Sequence, residues 1–147
     1  MLDRQFFPCP APLWRRFAAG LYDLFPLTAL WFLLAAIAVA LNRGQAVTGA
    51  GSSLLFVGAI LLTVLYLGSS FARGGQTLGM RAWRIRLEDE GGAFPRPLRA
   101  YARAAAGIAQ VLPFAIGLWW AYLDRERRSL ADRLCGTRVV LVPARRH

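Results

Sequence analysis

Asp23 is the single acidic residue inside a long apolar stretch, and the side chains most suited to act with it are Arg16 and Asp132. A charge at a helix centre in the bilayer costs ~2.5–3.5 kcal/mol on the insertion scale, and less toward the end of a span. A carboxylate kept there either binds a proton or cation or joins an ion-pair network that fixes helix packing. Arg16 stands seven residues earlier, two turns and ~10 Å along a helix axis. The two cannot pair tightly within one straight helix. Each is therefore expected to meet a partner on another element, with Asp132 and the arginines of the tail as candidates. One intramembrane carboxylate without a second is thin support for transport, so the structural role has the greater weight.

A second group, Gly75, Gln76, Thr77, Gly79 and Arg81, lies in the run Gly75-Gln76-Thr77-Leu78-Gly79-Met80-Arg81. Gly74, Gly75 and Gly79 suit a tight turn that sets backbone near a membrane surface. No Walker lysine is present, which argues against a nucleotide-phosphate loop. Catalytic chemistry has little to draw on: His147 is the lone histidine and terminal, and Cys9 and Cys135 match no metal-ligand spacing. No enzyme, metal or cofactor is expected. Ser129 with Asp132 has the pattern of a helix N-terminal cap.

The elements that must position these groups follow from hydropathy. Hydrophobic residues make up 56% of the 147 residues, above the usual share for a soluble domain, and they gather in blocks. Phe17 to Leu41 forms a span of 25 residues, or ~37 Å of helix, against a hydrocarbon core of ~30 Å. Trp14 and Tyr22 suit an interfacial anchor, whereas Trp31 lies too deep and is expected to pack. A signal peptide ending at Ala38-Val39-Ala40 is the alternative for this block, but the run is long for one and a buried Asp is odd inside it. Asn42 to Ser52 reads as a short external loop, and Ser53 to Ala72 as a second span with small residues that permit close helix approach.

Residues 73–103 form a polar middle with seven arginines. Trp83, Ile85 and Leu87 alternate with Arg84 and Arg86, the period of a strand, and Asp89-Glu90-Gly91-Gly92 closes it with turn chemistry. Ala104 to Leu123 is a third apolar block broken at Pro113. The tail then carries seven more arginines and a β-branched run at residues 137–142.

All 18 basic residues are Arg, a bias typical of GC-rich bacterial genomes, and the net charge is +10. The arginines flank apolar spans instead of forming one basic face, so they point to the positive-inside rule and to anionic headgroups, not to nucleic acid. With the N-terminus cytoplasmic, the middle region returns to the cytoplasm. A full third crossing would carry the arginine-rich tail outside. The two strand signals also need each other, since an unpaired strand exposes its edge. The third block is therefore expected to be a re-entrant hairpin broken at Pro113, with a single third span as the rival. Both cysteines would then be reduced cytoplasmic thiols.

Three segments together resemble the RDD family of membrane proteins. Trp14-Arg15-Arg16-Phe17-Ala18-Ala19-Gly20-Leu21-Tyr22-Asp23 is similar to the family's first helix, the Gly75–Arg81 run to its central loop, and Leu130-Ala131-Asp132-Arg133-Leu134-Cys135-Gly136-Thr137-Arg138-Val139-Val140 to its closing segment. The resemblance implies that Arg16, Asp23 and Asp132 are the name-giving residues, with Arg15 able to replace Arg16 if the alignment slips by one. Ala131 stands where relatives often carry a polar side chain. The reading is an all-α membrane protein: two transmembrane helices, a third Pro-broken helical segment and a short cytoplasmic two-stranded β ribbon. Residues 1–12 form a cytoplasmic segment, 13–142 one membrane domain and 143–147 a tail. The resemblance implies a transporter or transport subunit, with cation–proton exchange suggested. The alternative is a non-transporting scaffold or accessory subunit in which the charges are structural. The expected setting is multi-pass in the inner membrane with the N-terminus cytoplasmic, in contact with anionic lipid and with a second copy or a membrane partner.

Overall fold

The computed structural model describes residues 9–89, 91–111 and 130–142. Two long helices dominate: α1 (Leu13–Leu41) and α2 (Ala50–Gly74). Both are long and apolar enough to cross a membrane, and only 6% and 17% of their most apolar windows are buried within the protein. A core helix of a soluble domain would be mostly buried. Here Phe17, Leu21, Phe25, Phe32, Leu54, Phe56 and Leu61 point outward, a surface that needs lipid and not water. Pro12 precedes the first turn of α1 in extended conformation, and α2 ends on Gly75, which adopts φ +64° and donates its N–H to the Phe71 carbonyl.

The chain then makes a short helix, α3 (Leu78–Ala82), and a strand, β1 (Ile85–Asp89). Helix α4 (Pro97–Val111) follows. Further along the chain come α5 (Leu130–Cys135) and β2 (Thr137–Leu141). The two strands pair antiparallel, Ile85 opposite Leu141 and Asp89 opposite Thr137, as the two strand signals required. The acidic-Gly turn also forms: the Asp89 carboxylate accepts the Ala93 N–H at 2.9 Å, and Gly92 takes φ +80°. On its other edge β2 meets the N-terminal segment, where Ala11 N donates to Val139 O at 2.9 Å and Leu141 N to Cys9 O at 3.0 Å. Neither edge of β2 is left open.

The buried core lies at this end of the helix pair, not midway along the spans. Ala11, Ala19, Phe71, Ile85, Leu87, Ala100, Ala104 and Val139 pack together there. The sheet and helix ends thus form a cap over one end of α1 and α2. Two expectations change. The loop after α2 is not a simple turn but includes α3. And α4 begins at Pro97, seven residues before the apolar block, with Ala100 and Ala104 one turn apart on its buried face, a period that the interspersed arginines obscure. Pro113 and the proposed break lie outside the described residues, as do Ser129 and the capping role read for it.

Candidate functional site

Asp23 lies on the buried side of α1, 6% exposed. Among the described residues no arginine bonds it. Its Oδ2 accepts the Thr77 hydroxyl at 2.5 Å, and its Oδ1 accepts the Gly79 N–H at 2.9 Å and the Tyr66 hydroxyl at 3.2 Å. Thr77 is itself the N-cap of α3: its hydroxyl oxygen accepts the Met80 N–H at 3.2 Å while its proton goes to Asp23. The carboxylate is therefore held by three donors from α2 and the loop beyond it. Of the partners expected from the sequence, Asp132, Arg133 and Arg138 are described and do not bond it; the other tail arginines lie outside the described residues.

Gly79 makes this approach possible. A Cβ there would collide with the Ala19 carbonyl oxygen and stand 3.1 Å from the Asp23 carboxyl carbon. The glycine serves close packing of α3 on α1, not an unusual φ, since its backbone is helical. Gly75 has a different role: at φ +64° a side chain is strained, and a Cβ would press to 2.5 Å from the Leu87 carbonyl oxygen. Gln76 donates to the Ile85 carbonyl at 2.8 Å and so ties the loop to β1.

Arg16 and Asp132 form a second, separate cluster. Arg16 Nη1 lies 3.0 Å from Asp132 Oδ2, while its Nε and Nη2 donate to the carbonyls of Ala11 and Val139 at 3.2 and 3.3 Å. Arg103 Nε and Nη2 both lie 2.8 Å from Asp132 Oδ1. Asp132 is fully buried, and its two arginines are nearly so, at 9% and 14% side-chain exposure. One carboxylate thus joins α1, α4 and α5, and two of the three guanidinium nitrogens of Arg16 hold the edge of the N-terminal segment and β2.

The order Arg on the first helix, Asp two turns on, a Gly-Gln-Thr-x-Gly loop and a closing Asp, each now with a partner, matches one family. The RDD family model covers residues 10–136. The chain belongs to the RDD family. No curated protein and no solved structure matches it. Within this RDD domain α1 is integral: its Arg16 and Asp23 bind the cap, and the family match begins before it. That removes the signal-peptide reading of the first apolar block. Of the three residues that the resemblance singled out, Arg16 and Asp132 are together, whereas Asp23 belongs with the central loop.

Arg103 and Tyr66 complete the two clusters and were not singled out from the sequence. Arg103 was one of many arginines in the polar middle, and Tyr66 one aromatic residue in an apolar span. The available signal was their position: Tyr66 about two turns before the end of α2, Arg103 at the polar start of an apolar block. At the membrane boundary, Trp83 packs edge-on against Trp14 and Tyr22, with centroids 5.4 and 6.4 Å apart. Trp31 instead donates its indole N–H to Thr63 on α2 at 3.0 Å, within the spans. Among the described residues no group of three His, Cys, Asp or Glu side chains forms a metal-binding set.

Proposed function

We propose that this RDD protein is a membrane scaffold or accessory subunit in which the two charge clusters are structural. The observation that carries this reading is the state of Asp23, which is buried with both oxygens engaged by Thr77, Gly79 and Tyr66. A carboxylate whose lone pairs meet three fixed donors has a reduced capacity to coordinate a cation. Asp132 is likewise committed to Arg16 and Arg103. The clusters fasten the cap to the helix pair and hold the geometry of the membrane domain. The reading also has the chain act without catalysis, since the residues in both clusters serve each other.

A proton- or cation-coupled transporter is the second reading. The observation that favours it is an ionisable group, Asp23, hydrogen-bonded to the Tyr66 hydroxyl inside a span. So few helices give little room for an enclosed pathway, so transport would use an oligomer or a membrane partner. Ion flux in proteoliposomes separates the two. Saturable flux in the wild type that is lost in a still-folded Asp23→Asn variant establishes the transporter. Absence of flux from folded protein across a panel of monovalent cations and pH gradients, with a lowered melting temperature for Asp23→Asn, establishes the structural role.

The topology that fits best has the cap in the cytoplasm of a cell whose inner membrane holds both spans. The connection Asn42–Gly49 carries Arg43, while Arg16, Arg73, Arg81, Arg84, Arg86, Arg103 and Arg138 lie on or beside the cap, as the positive-inside rule requires. The third apolar block then enters and leaves on the cap side. The 2.8 Å contact between Arg103, before the block, and Asp132, after it, supports that path, because one crossing would separate its two ends by ~30 Å.

A further inference from the structure

Beside the cap, at the end of α2, lies a polar recess of about 200 Å³ lined by Ser69, Ser70, Arg73, Gln76, Leu78 and Arg81. Its chemistry differs from that of both clusters above. It has two guanidiniums and no carboxylate among its lining residues. Arg73 and Arg81 are exposed, and among the described residues neither guanidinium takes part in a hydrogen bond or ion pair. A Cβ built on Gly74 would stand 3.9 Å from Arg81 Nη2, so the Arg81 guanidinium folds back along the end of α2, beside Arg73. The Ser69 and Ser70 hydroxyls spend their protons on the Tyr66 carbonyl at 3.1 and 2.7 Å, and Gln76 donates to Ile85. The arginines are therefore the donors left for a ligand.

The site sits where the bilayer changes from hydrocarbon to headgroup. The apolar part of α2 ends within a turn of Arg73, and Trp83, packed on Trp14, marks the same level. Leu78, on the rim of the recess, is 59% exposed and apolar. A ligand that meets two guanidiniums and an exposed leucine at this depth carries an oxyanion and a hydrocarbon portion.

We propose that Arg73 and Arg81 form a specific site for the phosphate of an anionic phospholipid, with Leu78 against its acyl or glycerol portion. Paired guanidiniums suit a phosphate through parallel charge-assisted N–H···O bonds. Nothing chemical happens to the lipid; it is bound. The inference rests on the membrane-embedded state of the domain and on neither functional reading above.

The test is native mass spectrometry of the purified full chain with phosphatidylglycerol or phosphatidylcholine. It compares wild type, Arg73→Gln/Arg81→Gln and the charge-matched control Arg96→Gln/Arg99→Gln. Arg96 and Arg99 are exposed on and beside α4 and lie outside the recess. Wild type and control should prefer phosphatidylglycerol, and the Arg73/Arg81 double variant should bind it about thirtyfold more weakly than the control, because it alone loses two direct charge-assisted contacts to one phosphate. If the double variant does not fold, each single variant should lose about fivefold on the same basis. Equal losses in both double variants, or no preference for the anionic lipid in wild type, would overturn the site. Displacement of the bound lipid by millimolar inorganic phosphate would overturn the lipid assignment in favour of a soluble phosphate ligand.

Discussion

The Asp23 carboxylate on α1 accepts the backbone N–H of Gly79 at 2.9 Å, across 56 positions of sequence. That single bond shows why the acidic residue within the first span and the glycine of the central loop belong to one device. The loop comes close enough to give its amide only because residue 79 has no side chain.

Gly79→Ala should therefore push α3 off α1. The new methyl meets the Ala19 carbonyl oxygen, which is backbone and cannot rotate away. Overpacking of this kind costs roughly 1–3 kcal/mol. A lowered melting temperature in detergent checks it, and an unchanged one would mean that α3 does not pack on α1 as described.

Thr77→Val keeps the shape and removes the hydroxyl that bonds Asp23 and caps α3. Leaving a buried carboxylate oxygen short of a donor costs about 1–3 kcal/mol. Thr77→Ser keeps the hydroxyl and should recover most of that loss. Equal stability of the Val and Ser variants would remove the hydroxyl from the account.

Asp132→Asn leaves Arg16 and Arg103 facing each other with no counter-charge in a buried setting. Breaking a buried pair by deleting one partner costs about 3–5 kcal/mol. The double variant Arg16→Gln/Asp132→Asn should lose less than the sum of its single variants, because they share one interaction. Strict additivity would argue that Arg16 and Asp132 are not in contact.

The topology is checked by thiol labelling. Cys9 is exposed and free beside β2, so with the cap in the cytoplasm it should resist an impermeant maleimide in intact cells and react after permeabilisation. A cysteine placed at Gln45, in the α1–α2 connection, should show the reverse. Labelling of Cys9 in intact cells would invert the orientation.

Much of this arrangement was legible in the sequence. The two spans follow from apolar runs bounded by polar loops, and the ribbon from the alternation of Ile85 and Leu87 with arginines, matched by the β-branched run at Val139 and Val140. The link from Arg16 to a residue on another element followed from a helix geometry that keeps it away from Asp23. The partner of Asp23 was not legible. A charged side chain suggests a charged partner, whereas the protein supplies a hydroxyl, a backbone amide and a phenol, and an amide leaves no mark in a sequence. Helix α3 was hidden for a similar reason: five residues, Leu78–Ala82, are too few to show a period, and their helical form depends on the Asp23 and Thr77 bonds that hold them. The start of α4 was masked by arginines that snorkel or pair, as Arg103 does, while the helix runs on beneath them.

The central position of β2 has a consequence for how the domain comes into being. Its pairings and the Asp132 bond join α1 to segments made late. Asp132 follows Arg16 by 116 residues, roughly 6–23 s of synthesis at cellular elongation rates. In the later part of that interval, once α1, α2 and β1 have been made, the bonds of Arg16 to Asp132 and Val139 are still unformed and β1 has no partner strand. Assembly is thus a closure that waits for β2, with the nascent helix pair standing open until that strand arrives between its neighbours. A chain halted before Asp132 would keep α1 and α2 but leave this junction unsealed, giving cellular surveillance a structural difference to act on.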